Sequence, residues 1–234
     1  MRQGIITKGV GGFYDVLVDG DVVRCRARGI FRKDNIVPMV GDKVTISIKD
    51  KAIVEIHPRK NQLLRPAVAN IDLLGIVLAP THPEPDFYLI DKLMVSAENN
   101  GIKVMLLINK VDLVGDKEVR DIMDIYKSTQ YPIITLSCKE QIGFENLKDI
   151  IKDNIVTLAG QSGVGKSSII NVLCPEKELE TGQLSEKIRR GRHTTRHTKL
   201  LILPSGGMIV DTPGFSTMNM NEVMPEDLSY LYPD

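Results

Sequence analysis

The chain has 234 residues, 42% apolar and 26% charged, with 30 Lys/Arg against 30 Asp/Glu. That is long enough for one large domain or two smaller ones, each with its own core, and the balance excludes a disordered or fibrous polypeptide. The longest apolar stretches, 71–80 and 104–108, are too short to span a bilayer, so no membrane partner is expected.

The sequence starts directly with strand-like residues and has no apolar signal region. Cys25, Cys138 and Cys174 are too widely spaced for a disulfide framework or a zinc knuckle. A reducing cytoplasm is the expected location.

Residues 4–57 alternate short apolar runs with turn residues. Strands are predicted at 4–8, 13–18, 22–27, 43–48 and 52–56, separated by Gly11-Gly12, Asp19-Gly20-Asp21, Val40-Gly41-Asp42 and Lys49-Asp50-Lys51. Five strands in so short a span predict a small all-β barrel of the OB-fold type; an SH3-like barrel gives much the same pattern. Residues 1–60 hold 12 Lys/Arg against 7 Asp/Glu, whereas 61–234 hold 18 against 23. The basic segment therefore suits a polyanion. Arg24, Arg26, Arg28, Arg32 and Lys33 are the candidate RNA-binding residues, the first three alternating at strand period. The polar stretch bounded by Pro58 and Pro66 places the linker there, with 61–66 between the two domains.

From residue 67 the pattern becomes strand–helix alternation. Strands are predicted at 73–79, 103–109, 133–137 and 155–159, with helices at 87–99, 117–128, 143–152 and 166–174 between and after them. Runs 200–203 and 207–211 are expected to pair as an antiparallel edge. Such alternation predicts an α/β sheet covered on both faces, with ligands bound at the carboxyl ends of the strands.

Gly160-Gln161-Ser162-Gly163-Val164-Gly165-Lys166-Ser167 matches the eight-position phosphate-loop consensus, between a predicted strand and a predicted helix. Its glycines let backbone N–H groups turn toward phosphates, and Ser168 continues into the helix. Lys166 is expected on the β- and γ-phosphates and Ser167 on Mg²⁺. Asp211-Thr212-Pro213-Gly214 follows an apolar run: Asp211 would hold Mg²⁺ through water and the Gly214 N–H would meet the γ-phosphate. Between the two lies the basic segment 187–199, with six Lys/Arg and no acid. Its threonines suit a switch that closes on Mg²⁺, with Thr195 favoured over Thr194; the same segment also suits contact with RNA phosphates.

Asn109-Lys110-Val111-Asp112 is the guanine-reading motif of GTP-binding proteins. The Asp112 carboxylate can accept from guanine N1–H and N2–H₂, a pair adenine lacks, and a site built around a buried carboxylate rejects the wrong base. Asn109 would brace the loops and the Lys110 stem would lie on the base. Ser137-Cys138-Lys139, at another strand end, fits the supporting loop, with a backbone N–H at Cys138 for guanine O6. In ordinary GTPases the phosphate loop comes first. Here the base reader leads, so the domain at 67–220 reads as an α/β P-loop GTPase that is circularly permuted.

Many GTPases carry a water-orienting Gln after the second-switch glycine, where this chain has Phe215. His193, in the first switch, is the candidate replacement; the bland reading makes it a bystander in a basic loop.

The order of guanine motif, Ser-Cys-Lys, phosphate loop, His-Thr-Thr and Asp-Thr-Pro-Gly behind a small barrel resembles the ribosome small-subunit-dependent GTPase A (RsgA) family. The resemblance covers residues 4 to about 220. It implies an OB-fold, GTP/GDP and Mg²⁺ as ligands, and binding to 16S rRNA late in small-subunit assembly. It also implies slow GTP hydrolysis that the subunit accelerates, linked to release of another assembly factor, by a monomer. The family carries a C-terminal zinc domain whose Cys and His ligands are absent from this chain, so 221–234 reads as the start of a truncated region. Two further readings stay open: a GTP-regulated RNA-binding module with incidental turnover, and a permuted GTPase serving another RNA or a membrane pathway.

Overall fold

The structure, a computed structural model, describes residues 1–28, 31, 36–64, 66–175 and 198–211. The sequence candidates Arg32, Lys33, His193, Thr195 and Gly214 lie outside the described residues. The chain forms two compact units, one built on Met1–Ile71 and one that begins at Asp72.

In the first unit, strands β1 (Arg2–Val10), β2 (Phe13–Val18), β3 (Asp21–Ala27), β4 (Lys43–Ser47) and β5 (Ala52–Ile56) close into a barrel. The circuit runs β1–β2–β3–β5–β4 and back to β1. Its β3–β5 pairing is parallel and the others antiparallel. This closed five-strand circuit is the OB-type barrel of the two alternatives left by the sequence.

Long β1 makes closure possible. It pairs with β4 through residues 2–5 and with β2 through residues 5–10, with a bulge between Ile6 and Lys8 that turns it from one neighbour to the other. Alternation then sends Ile6, Val16, Val18, Cys25, Val44, Ile46 and Ile53 inward as one core. Each large aliphatic side chain so buried contributes at most about 2 kcal/mol.

The stretch read as a linker carries strand structure. β6 (Gln62–Leu64) pairs with β7 (Ala67–Ala69). The hairpin is tied down by the Ala69 N–H to the Val40 carbonyl (2.8 Å) and by Asn70 Nδ2 to the Gly41 carbonyl (2.9 Å). Asn61 bonds both backbone groups of Ile71 at 2.8 Å. Arg59 reaches fully buried Asp42 with two nitrogens, at 2.7 and 2.8 Å, and also bonds the Val37 carbonyl. Polar composition suggests exposure, but these side chains spend their polarity inside the unit.

The second unit follows the predicted alternation closely. β8 (Leu73–Leu78), β9 (Lys103–Asn109), β10 (Ile133–Leu136) and β11 (Ile155–Ala159) are parallel, in the order β10–β9–β8–β11. β8 and β11 are buried along their whole length, as central parallel strands must be. Helices α1 (Phe87–Asn99), α2 (Asp116–Tyr126), α3 (Phe144–Ile151) and α4 (Lys166–Leu173) complete it.

Asp86 caps α1 by accepting from the Leu89 N–H at 3.0 Å. Helix α2 stops at Tyr126, two residues before its predicted end, because a 3₁₀ turn takes over at Lys127–Thr129. The late hairpin of β12 (Lys199–Ile202) and β13 (Met208–Asp211) turns with the Leu203 N–H donating to the Gly207 carbonyl at 3.1 Å. Among the described residues no helix is long and apolar enough to cross a membrane.

Candidate functional site

Parallel strands place their carboxyl ends on one rim, and the predicted base-motif and phosphate-loop residues gather there. β9 ends in Asn109, β10 leads into Ser137, and β11 leads into Gly160. The register pairs Leu136 with Asn109, which brings the base-reading motif and its supporting loop side by side.

The base half is held by hydrogen bonds between these loops. Ser137, fully buried, donates its hydroxyl to Asp112 Oδ1 at 2.7 Å and accepts from the Glu140 N–H at 3.1 Å. The Asp112 carboxylate is thus oriented while its residue remains exposed. The motif implies a buried carboxylate; here only a covering base would desolvate it. The Cys138 thiol donates to Asn109 Oδ1 at 3.5 Å. Burial pushes its pKa up and Asp112 adds to this, outweighing the Asn109 hydrogen bond, so it stays a protonated loop residue at neutral pH. Lys139 is exposed and pairs with Glu140 at 3.3 Å.

Asn109 and Lys110 join the base half to the phosphate loop. Buried Asn109 donates through Nδ2 to the Val164 carbonyl at 2.8 Å. Lys110 has a left-handed backbone, φ 66°, and its Nζ donates to the carbonyls of Gly163 (2.7 Å) and His82 (2.6 Å).

Two glycines are fixed by their surroundings. At Gly160 (φ +135°) a Cβ would run into the Val77 carbonyl, and at Gly165 (φ +101°) into Asn109 Nδ2. Val164 is fully buried and anchors the loop, while Gln161, Ser162 and Gly163 form its rim.

Lys166 opens α4 and folds its Nζ back onto the carbonyls of Gly160 and Gln161, both at 2.6 Å. Burial holds its pKa below the usual 10.5. Ser167 and Ser168 follow, exposed in the first turn of α4. Asp211 is the last residue of β13. A glycine cradle at a helix N-terminus with a lysine inside it fits the phosphates of a nucleotide. The Ser137-oriented carboxylate fits a base that offers two N–H groups.

On the barrel, Arg24 and Arg26 are exposed on β3, flanking inward-facing Cys25. Their guanidinium carbons lie 5.0 and 4.7 Å from the centroid of the Phe13 ring on β2, an arrangement that sequence reasoning missed. Period-two alternation gives the shared face, but only the β2–β3 register, which pairs Phe13 with Arg26, gives the ring. Arg28 lies beyond the end of β3 and comes within 4.0 Å of Asp50. The structure thus holds two of the basic candidates on one aromatic platform and the third against an acid.

Comparison with known proteins agrees with these features. The RsgA GTPase family profile matches residues 56–221, and the RsgA N-terminal domain profile matches 3–53. The small ribosomal subunit biogenesis GTPase RsgA of Clostridium kluyveri is 44% identical over 99% of this chain and 81% of its own length. That of Alkaliphilus metalliredigens is 41% identical, covering 100% and 82%. Among solved structures, YjeQ from Thermotoga maritima superposes with a TM-score of 0.82 at 35% identity, over 98% of this chain and 81% of that one. YloQ, described as a circularly permuted GTPase, gives 0.81 at 34%, over 100% and 78%. The chain belongs to the RsgA GTPase family, and its nucleotide domain is circularly permuted.

Proposed function

We propose that this RsgA-family GTPase binds the small ribosomal subunit through 16S rRNA and assists its late maturation, hydrolysing GTP to GDP and phosphate slowly alone and faster on the subunit. The observation that carries the nucleotide part is the joined site: Asp112 oriented by Ser137, and Lys110 and Asn109 tied to the phosphate loop that holds Lys166. The names of the relatives support the ribosomal part. The same reading makes the protein a cytoplasmic monomer whose hydrolysis is linked to release of another assembly factor.

Each residue then has a stated task. Asp112 accepts from guanine N1–H and N2–H₂, the Cys138 N–H meets O6, and the Lys110 stem covers the base. Backbone N–H groups of 160–168 surround the phosphates, with Lys166 on the β- and γ-groups. Gly214 would add an N–H at the γ-phosphate. Ser167 and Asp211, with Thr195, would hold Mg²⁺, which would supply positive charge against the phosphates. Hydroxyl and carboxylate oxygens are the donor set that hard cation prefers. His193 is assigned the attacking water because Phe215 has no group to orient one. Arg24, Arg26 and Arg28, with Arg32 and Lys33, would meet rRNA phosphates.

The test is sedimentation with purified small subunits, run beside single-turnover GTP hydrolysis with and without them. Co-sedimentation favoured by a non-hydrolysable GTP analogue over GDP, with a subunit-stimulated rate, is expected. Nucleotide-independent sedimentation with no stimulation would overturn the reading.

A further inference from the structure

The turn between β8 and α1, residues 79–86, belongs to none of the recognised nucleotide motifs, yet it touches the phosphate loop at several points. The His82 carbonyl accepts from Lys110 Nζ at 2.6 Å, and the same ammonium donates to Gly163 at 2.7 Å. The Asp86 N–H donates to Gln161 Oε1 at 3.2 Å. A Cβ placed on Gly163 would touch Pro83 Cδ at 3.8 Å, and Gly160 lies against the Val77 carbonyl at the end of β8.

One side of this turn is fixed independently. The Asp86 carboxylate caps α1, and β8 is locked between β9 and β11. Pro80, Pro83 and Pro85 restrict the backbone between these anchors. A lysine side chain that reaches across a loop loses much rotamer freedom on being held, and the His82 carbonyl supplies one of its two anchors.

We infer that the β8–α1 turn is a positioning element of the nucleotide site: by holding Lys110 and the phosphate loop in place it slows release of guanine nucleotide. The turn acts through Lys110 and Gln161 and does not touch nucleotide itself. A partner that moved the turn would therefore speed nucleotide exchange without entering the pocket. The inference rests on guanine-nucleotide binding as proposed above: a parent protein that fails to bind GDP would sink both, whereas GDP binding with release indifferent to the turn would sink this inference alone.

The experiment measures release of a fluorescent GDP by stopped flow from the full chain, its Pro83→Gly/Pro85→Gly variant, Lys110→Ala, and the combination. Loosening the turn is expected to speed release about fivefold in the parent, the order expected for weakening one hydrogen bond of ordinary net strength. In the Lys110→Ala background the same change should speed release by clearly less than in the parent, about two- to threefold, because the Lys110 anchor is already gone and only the Gln161 contact remains. A rate unchanged in the parent, or a full fivefold effect persisting without Lys110, would overturn the inference. If the turn variant melts far below the parent, Gln161→Ala takes its place. Faster release from that variant supports the role of the turn, and an unchanged rate overturns it.

Discussion

The Ser137 hydroxyl donates to Asp112 Oδ1 across 2.7 Å, so the carboxylate proposed to read guanine is aimed with no base present. Ser137 is fully buried and also receives the Glu140 N–H, which fixes the hydroxyl from both sides. Ser137→Ala should free Asp112 and leave the Glu140 N–H without this acceptor. GDP affinity is expected to fall about tenfold, near 1.4 kcal/mol, measured by fluorescent-nucleotide titration. An affinity within twofold of the parent would mean that Asp112 orients itself.

Asp112→Asn exchanges an acceptor for a donor at the base. Guanine loses its partner for two N–H groups, whereas the C2 carbonyl of xanthine gains one. Competition binding should show the variant preferring XDP to GDP, reversing the parent. The parent itself should discriminate strongly against ADP, because an unpaired carboxylate under adenine is costly.

Lys166→Met should abolish phosphate binding and turnover while leaving the fold intact. It should also remove a pH dependence. Burial lowers the pKa of Lys166 below 10.5, so in that window the unfolded chain binds more protons than the folded one, and stability rises with pH. Thermal midpoints taken from neutral pH up to 10.5 should therefore climb more, or fall less, in the parent than in Lys166→Met. The lysine is only partly buried, so the difference will be small.

Asp42→Ala leaves Arg59 without its buried partner, though the guanidinium keeps its bonds to Val37 and Gln62. Breaking such a pair costs about 3 kcal/mol. Urea unfolding should show a loss of that size in the barrel, with nucleotide affinity unchanged.

Replacing Arg24, Arg26 and Arg28 together by Gln should weaken binding to small subunits and flatten its dependence on salt. For every phosphate that is no longer neutralised, the slope of log K against log salt falls by about 0.7 to 0.9. An unchanged slope would move the RNA-binding surface elsewhere, with segment 187–199 as the next candidate.

Motif order alone exposes the permutation, since each motif sits at a predicted strand end and the sheet brings those ends to one rim. The barrel strands are legible because alternation at Val16, Val18 and Cys25 reflects a single buried face. Interactions set by tertiary register are not. Phe13 beneath two arginines needs the β2–β3 pairing, and Arg59 on Asp42 joins residues whose local sequence suggests only a turn and a linker. The helix over 87–99 is legible, but the turn at residues 79–86 before it gives no sign of the phosphate loop it meets.

β8 pairs Leu73 with Lys103 on one side and with Val156 on the other. A chain emerging from its N-terminus therefore completes the base-reading half of the site first, with β8 fully apolar and one edge still bare. That edge is covered only when β11 arrives, after two more helices have been made. The reordered motifs thus carry a cost during synthesis: a central strand must wait for its second neighbour while exposing groups that invite other strands. Translation pauses or chaperone capture between residues 110 and 155 would act on this domain while that edge is still bare.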